Sequence, residues 1–512
     1  MTVRVVSASQ SAELDRLAIG GGVSARALMQ AAGRGAATLL LERFPLEAAR
    51  GVAIYVGPGN NGGDAWVVAG ELARRGVRVR VAEVALSRSP EALAERETAS
   101  ALLEHAAPDG SEGVIVDGLL GTGAAGAPRG DIADAIGRIH FGRSGGADSA
   151  ATVRVVALDV PSGVDATTGE TPGTFVRADL TVTFGALKRG LLRRRDLCGT
   201  IIVLDIGLDA LPRHVGAPPL VDATMALGAV PPIAAGAHKG DRRRLLVVGG
   251  AAGMAGAAVL AARSAMRSGI GMVKLCVAPD SVVAVQAAEP AAMAMAWPAT
   301  DDEMAALTRW AHVALVGPGI GAGVDARLLV ERFLQEWRGP VVLDADGLNA
   351  FAGRATELGA LLRGRSAVLT PHVVEFGRLT GALPAAVESG RFEVAAELAR
   401  VTGATVLLKG VPTVVSDGQS TAVCASGTAV LAAAGSGDVL GGIVATLLAQ
   451  CGDPLASAST AAWVHGRAAE IAGAGAVRGV TLDDVLHALR YAWHAPAPSR
   501  PPVLAELSRA GD

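Results

Sequence analysis

The sequence predicts an α/β protein of two domains, each a parallel sheet with helices on both faces. Three observations predict it. Apolar runs of roughly four to eight residues recur along the chain and end in Gly-rich loops, with helix-like stretches between them. That is the pattern of strands buried on both faces. The series breaks once, at LPRHVGAPPLVDATMALGAVPPIAAGAHKG (residues 211–240). This segment is rich in Pro, Ala and Gly and reads as a linker or docking segment. A chain of 512 residues also suits two to four domains with ample cores.

In the first half, GVAIYVGPG reads as a buried strand, DAWVVAGELARRG as an amphipathic helix and VRVRVAEVAL as the next strand. GVIVDGLLGTG, VRVVALDVPSG, DLTVTFG and TIIVLDIG continue the series. In the second half RLLVVGG is a strand, AGAAVLAARSAMRSG a helix stopped by glycine, and MVKLCVA a strand. VALVGPGIG, PVVLDADG, AVLTPH, TVLLKG and TVVSDG follow as strands, among helices such as ARLLVERFLQEW and EVAAELARVTG. GSGDVLGGIVATLLAQ and ASTAAWVHGRAAEIAG form a late helical pair. The expected organisation is a first domain over 1–212, a linker over 213–235, a second domain over 236–492 and a mobile tail over 493–512.

Composition narrows the function classes. With 46 basic and 49 acidic residues the formal charge is −3, which argues against a bulk polyanion binder. Aromatics make up only 3% of the chain, so nucleic-acid binding through stacked rings is not expected. The four cysteines form no short-spaced pair, which excludes a zinc ribbon or disulfide scaffold and suits a reducing cytosol. MTVRVVSASQSAELDR lacks the apolar stretch of a signal peptide, and no run approaches the ~20 apolar residues of a membrane span. A soluble cytoplasmic protein with no membrane or nucleic-acid partner is expected. Lysine supplies only four of the 46 cations, Lys188, Lys239, Lys274 and Lys409, and the asparagines are Asn60, Asn61 and Asn349. In so biased a chain, a compact ammonium or a neutral amide is expected where its own chemistry is needed.

GPGNNGGD (residues 57–64) follows a strand and opens a helix, where glycines allow close backbone approach and the helix N-terminus favours phosphate. A plain strand-to-helix turn explains the glycines equally well, but not two of three asparagines side by side. VDGLLGTG and LDVPSGVDATTG end two further strands. In an open parallel sheet ligands sit beyond the strands' carboxyl ends, so Asn61, Asp117, Asp159 and Ser162 should converge on one crevice. A lone strand-end aspartate is often only a helix cap; the set is harder to explain that way.

NNGGD, DxxxGTG and LDxPSG together resemble the NAD(P)H-hydrate epimerase family, along the whole first half, including ALMQAAGRGAA and TFGALKRGLL. The resemblance implies a Rossmann-like three-layer α/β/α domain. It implies that Asn60, Asn61, Gly62, Gly63, Asp64, Gly121, Thr122, Gly123, Ala124, Ala125, Gly126, Ala127 and Asp159 hold a hydrated nicotinamide nucleotide. It also implies that Asn61, Asp117 and Ser162 ligate potassium, for which an amide carbonyl, a carboxylate and a hydroxyl are suitable hard donors. Asp159 matches the family's general base. Lys188 either adds a cation to the site or is a surface lysine. Ala65 stands where the family often has Gly, and Leu187-Lys188-Arg189 lacks its usual prolines.

In the second half, AGSGDVLGGIVATLLAQ puts Asp438 in the first turn of a long apolar helix, after Gly435 and Gly437. Free N–H groups there suit a phosphate in transfer, and the aspartate can accept a hydroxyl proton. A capping aspartate fits the motif alone equally well. The arrangement resembles the ribokinase-like superfamily. Within it, the order HKGDRRRLLVVGG, GMAGAAVLAA, VGPGIG, LDADGLNAF, LTPHVVEFGRL, KGVPTVV is similar to the ADP- or ATP-dependent NAD(P)H-hydrate dehydratases, over about residues 236–470. By that resemblance Ala257, Gly319, His372 and Asp438 contact the hydrated nucleotide, with Asp438 the base. Lys409, Gly410, Val411, Pro412, Thr413 and Gly437 form the adenine-nucleotide site, and Glu375 orders magnesium through water. His372 alone reads more readily as a hydrogen-bonded turn residue. Ser426-Gly427-Thr428 replaces the family's usual Gly-Asn, whose contact would fall to Ser426 or Thr428. Arg193–Arg195 and Arg242–Arg244 read as solvated faces, the second with a possible part in receiving phosphate; Lys274 has no functional reading.

The resulting expectation is a bifunctional repair enzyme for hydrated NADH and NADPH, using potassium in one half and magnesium with ADP or ATP in the other, as a homo-oligomer. The rivals are a small-alcohol kinase with a regulatory domain and a binding module like the scaffold relatives of the first domain.

Overall fold

The computed structural model describes residues 2–103, 106–143, 152–208, 211, 214–497 and 499–509. They divide into two compact units. One runs to Pro219 and takes in 499–509; the other is Leu220–Ala497. The expected first boundary, Pro212, and residues 213, 498 and 510–512 of the linker and tail lie outside the described residues.

The first unit contains β1 (Val5–Val6), β2 (Val52–Val56), β3 (Val79–Glu83), β4 (Val114–Gly118), β5 (Arg154–Leu158), β6 (Leu180–Phe184), β7 (Leu187–Lys188) and β8 (Thr200–Leu204). Its main sheet carries the parallel order β8-β6-β5-β4-β2-β3, while β1 pairs with β7 apart from it. Alternation sorts the side chains. Val52, Ile54, Val114 and Val116 join the core formed with helices Ala25–Arg43 and Asn60–Arg74. Ala53, Tyr55 and Ile115 face helix Asp131–Arg143 on the other side. The three-layer α/β/α expectation holds.

The second unit contains β9 (Arg244–Val248), β10 (Met272–Val277), β11 (Met293–Ala296), β12 (Val313–Val316), β13 (Val341–Leu343), β14 (Ala367–Leu369), β15 (Thr405–Leu408), β16 (Thr413–Ser416) and β17 (Thr421–Cys424). The order is β11-β10-β9-β12-β13-β14-β15-β16-β17, parallel through β15, with β16 and β17 antiparallel. Leu245, Val247, Leu275 and Leu315 pack under helices Ala255–Arg267, Ser436–Cys451, Pro454–Gly473 and Leu482–Ala492.

Two features differ from the sequence reading. The expected tail instead supplies β18 (Val503–Leu507), antiparallel to β8 at the edge of the first sheet. Within the expected linker, Pro219 and Leu220 make strand-like bridges to Arg4 and Val423, and Ala223–Gly228 is a short helix capped by Asp222.

Strand order fixes where ligands go. From β2 the chain goes to β3 on one side, then crosses to β4 on the other. From β9 it goes outward to β10 and β11, then crosses to β12. Each reversal opens a crevice at the strands' carboxyl ends.

Candidate active sites

In the first unit the crevice is a cavity of about 500 Å³, lined by Asn60, Asn61, Asp64, the loop Gly121–Ala124, Asp159 and Lys188. Asn60 and Asn61 occupy the first turn of helix Asn60–Arg74, which begins four residues earlier than the sequence suggested. Gly62 and Gly63 do not line the cavity. A Cβ on Gly62 would stand 2.0 Å from the Gly57 carbonyl oxygen, and one on Gly63 would stand 2.5 Å from Met29 Cε. Their smallness lets the helix start against its own strand. Ala125, Gly126 and Ala127 also lie off the main cavity; Gly126 borders a small neighbouring recess.

Asp159 ends β5 with φ +61°, a left-handed conformation that costs a non-glycine residue about 1–3 kcal/mol. The conformation aims its carboxylate into the cavity. Lys188 Nζ lies 2.6 Å from Oδ1, Thr122 N donates to Oδ2 at 3.0 Å, the Thr122 hydroxyl donates to the same oxygen, and Thr183 reaches Oδ1 at 3.3 Å. Burial alone would raise this carboxyl, but the Lys188 ammonium and the Thr122 bonds hold it below the ordinary range. Lys188 is buried and also donates to Phe184 O at 2.9 Å, so it is a site cation and not a surface lysine. Asp64 has the opposite setting. It is buried in the cavity wall, and desolvation with the nearby charges of Asp159 and Asp15 pushes it well above the carboxylate range.

Asn61, Asp117 and Ser162 are joined through the Leu119–Leu120 backbone. Asn61 Nδ2 donates to Leu120 O at 2.9 Å, Leu120 N donates to Ser162 Oγ at 2.9 Å, and Ser162 donates to Asp117 from Oγ at 2.6 Å and from N at 2.8 Å. Asp117 and Ser162 sit behind the cavity wall, and burial pushes the Asp117 carboxyl up to about 6. Asn61 Oδ1 is buried with no hydrogen-bond partner among the described residues. An orphaned amide oxygen, a carboxylate and a hydroxyl tied to one loop backbone are a donor set whose chemistry fits an alkali cation.

In the second unit Asp438 lies in the first turn of helix Ser436–Cys451, entered through Gly435 at φ +90°. Lys409, from the end of β15, bonds Asp344 Oδ1 at 2.9 Å and approaches Glu375 Oε2 at 3.6 Å. A Cβ on Gly437 would stand 3.3 Å from Lys409 Nζ and 3.6 Å from Asp344 Oδ2, which places the ammonium beside the glycine turn. Desolvation and the charges of Asp344, Glu375 and Asp346 push Asp438 up to about 7, against the lowering pull of Lys409. A base that titrates near neutrality is well matched to taking a hydroxyl proton.

His372 is a helix cap. Its Nδ1 accepts from Val374 N and Glu375 N, while Glu375 Oε2 accepts from His372 N at 2.9 Å, a reciprocal capping box. Burial lowers its imidazole, partly offset by Glu375. Glu375 is thus committed to the cap and to Lys409. Ala257 and Gly319 are neighbours: a Cβ on Gly319 would stand 3.0 Å from Ala257 Cβ. The loop Lys409–Thr413 is pinned by the buried Arg391, which donates to Lys409 O at 3.0 Å and Pro412 O at 3.3 Å. Ser426 Oγ is turned to Trp463 O at 3.1 Å and Thr428 caps a short turn at Val430, so both hydroxyls have internal partners.

Sequence reasoning missed Asp15, Asp344, Thr370 and Arg391. Asp344 and Asp346 lie in LDADG, directly after a strand, and that position was the available signal. Asp15 carried none. Arg242 and Arg243 precede β9 and Arg244 opens it, at the amino ends of the strands and away from the crevice at their carboxyl ends. Arg195 is buried and bonds Ser508 O, so it is no solvated residue. Lys274 stacks over Trp310 at 4.3 Å.

Residues 245–490 match the family model described as NAD(P)H-hydrate dehydratase, and residues 25–190 match YjeF-related protein N-terminus. The bifunctional NAD(P)H-hydrate repair enzyme Nnr of Coxiella burnetii is 36% identical over 495 residues, covering 94% of this chain and 97% of its own. The chain belongs to the bifunctional NAD(P)H-hydrate repair enzymes. The family's Escherichia coli member is 33% identical over 482 residues, covering 92% and 90%. Among solved structures, an ADP/ATP-dependent NAD(P)H-hydrate dehydratase from Bacillus subtilis, co-crystallized with ATP/Mg2+, is 26% identical with a TM-score of 0.49. It covers 54% of this chain and 97% of its own. No helix among the described residues is long and apolar enough to cross a membrane.

Proposed function

We propose that the first unit interconverts the R and S hydrates of NADH and NADPH, and that the second dehydrates the S hydrate at the expense of ADP or ATP. One observation carries this reading: a single chain holds two strand-end sites, each setting a lysine against carboxyls, the buried Lys188 on Asp159 and the partly buried Lys409 on Asp344 and Glu375, next to the turn of Asp438. Family membership supplies the substrate class.

In the first site Asp159 is the base, kept ionised by Lys188 and oriented by Thr122. Asn61, Asp117 and Ser162 would hold potassium, which would supply a fixed positive charge. In the second site the hydrate's hydroxyl oxygen attacks the terminal phosphorus of the nucleotide while Asp438 takes the hydroxyl proton. The bond to the leaving nucleotide breaks, releasing AMP from ADP or ADP from ATP. The lone pair of the ring nitrogen then expels phosphate from the adjacent carbon, and loss of a ring proton restores the double bond. Gly435–Gly437 and the helix start offer N–H groups to the transferred phosphate. Magnesium would arrive with the nucleotide phosphates and would neutralise their charge, Glu375 being already engaged by the His372 cap and Lys409. Four free cysteines, three of them buried, favour a cytoplasmic setting.

The test mixes purified protein with hydrated NADH and either ADP or ATP and follows the reduced-nicotinamide absorbance. Return of the band from a mixture of both epimers is expected. A stable phosphorylated product that accumulates would instead mark a small-alcohol kinase, and no change at all would leave only a binding module.

A further inference from the structure

Asp344 is 1% exposed, directly after β13. Its Oδ1 accepts from Thr370 Oγ1 at 2.8 Å and from Lys409 Nζ at 2.9 Å. Its Oδ2 faces the first two turns of helix Ser436–Cys451, where a Cβ on Gly437 or Gly441 would stand 3.6 or 3.7 Å away. Lys409 thereby ends up between Asp344 and Glu375, against the glycine turn that carries Asp438. A buried ion pair is weak evidence for stability, because desolvation offsets much of its attraction. Its place beside the reacting groups calls for another account.

We infer that Asp344 is a positioning residue for phosphoryl transfer: pinned by Thr370, it fixes the Lys409 ammonium beside Gly437, and the pair governs how readily Asp438 takes the hydroxyl proton. The inference rests on the dehydratase reading of this site. Asp344 and Lys409 act on Asp438 with opposite sign. A neighbouring carboxylate disfavours ionisation of Asp438, and a neighbouring ammonium favours it. The other charges facing Asp438 are Glu375, from the helix after β14, and Asp346, from the turn after β13; both act in the same sense as Asp344. Lys409 feels Asp344, Glu375 and Asp438 together, and His465 from helix Pro454–Gly473 is held low by burial and by the Lys409 charge.

The experiment measures dehydratase kcat/KM for hydrated NADH against pH at saturating nucleotide, for the full chain and for Asp344→Asn and Lys409→Met. Asp438 must be ionised to accept a proton, so activity falls on the acid side. Asp344→Asn should move that acid limb to lower pH and Lys409→Met should move it to higher pH, each by on the order of one pH unit. Thr370→Val, which removes only the pinning hydroxyl, should lower kcat and leave KM for the hydrate nearly unchanged. The melting transition of the second unit, compared with that of the unaltered chain, reports whether each variant is folded. Limbs that stay in place, or move the same way in both variants, overturn the inference while dehydratase activity itself stands. A wild-type chain with no dehydratase activity would instead defeat the underlying reading.

Discussion

Asp159 and Asp438 are both strand-end or helix-start carboxylates, yet their surroundings drive them apart. Lys188 and Thr122 hold Asp159 below the ordinary range, whereas burial and neighbouring carboxylates carry Asp438 up to about 7. Asp159→Asn keeps the shape of the cavity and removes the carboxylate that Lys188 and Thr122 orient. Epimerisation should slow by ~10²–10⁴-fold, the usual span for a lost general base, with dehydratase activity intact. A near-wild-type rate in the folded variant would move the proton transfer to another group. Asp438→Asn should lower dehydratase turnover by ~10²-fold or more and leave nucleotide binding and epimerase activity in place, because asparagine would preserve any capping role. Persistent turnover, measured with both assays on one preparation, would make Asp438 a cap. At this scale the sequence exposed the residues whose neighbours in sequence are unusual, such as Asn61 beside Asn60. It hid those whose meaning lies in a distant partner. Asp344 matters because Lys409, from a different strand end, reaches it, and nothing local to Asp344 encodes that meeting. Lys188 likewise stayed ambiguous until its burial against Asp159 was known.

At the scale of elements, the repeating strand and helix pattern was legible because both sheets are buried on two faces and so read as continuous apolar runs. What escaped were short pieces whose pairing comes from elsewhere: β1 and β7, two residues each, and the antiparallel β17 at a sheet edge. The GPGNNGGD turn shows how an element's start sets a site. The four residues from Asn60 to Gly63 are helical, so Asn60 and Asn61 reach the cavity only because Gly62 tolerates the Gly57 carbonyl and Gly63 tolerates Met29. The two glycines should respond differently to alanine. At Gly62 the obstacle is a backbone oxygen that cannot move without shifting β2, so Gly62→Ala should cost about 1–3 kcal/mol and abolish most epimerase activity. At Gly63 the nearest obstacle is the flexible end of Met29, which can rotate, and the rigid Ala92 Cβ stands farther off at 2.9 Å, so the loss of thermal stability should be smaller than at Gly62. Equal melting temperatures for the two variants would show that the helix start does not depend on this close approach.

At the scale of the whole molecule, chain order and spatial order part company. Residues 499–509, last in sequence, belong to the unit built from the first 219 residues, and β18 covers the edge of β8 there. Composition concealed this: HAPAPSRPPVLAELSRAGD is Pro-rich, and its apolar residues are too few to announce a strand. The segment is anchored by more than its ladder. Asp205 N donates to Pro502 O at 2.8 Å, Arg43 meets Glu506 at 2.6 Å, and Val503 packs against the core of the first unit. The exposed Arg43 pair contributes little, on the order of 0–1 kcal/mol. Partial burial of Val503, Leu504 and Leu507 contributes more, about 2 kcal/mol. A chain ending at Ala497 should therefore lower the melting temperature of the epimerase unit by roughly 4–8 °C. The freed edge of β8, apolar and almost fully buried in the intact chain, should also make the protein prone to self-association. Dehydratase activity should survive, since the second unit is complete without those residues. Scanning calorimetry of the truncated and full chains, with both activities assayed after mild heating, decides the matter. If epimerase and dehydratase decay together, or neither transition moves, the C-terminal strand does not support the first unit in the way its pairing indicates.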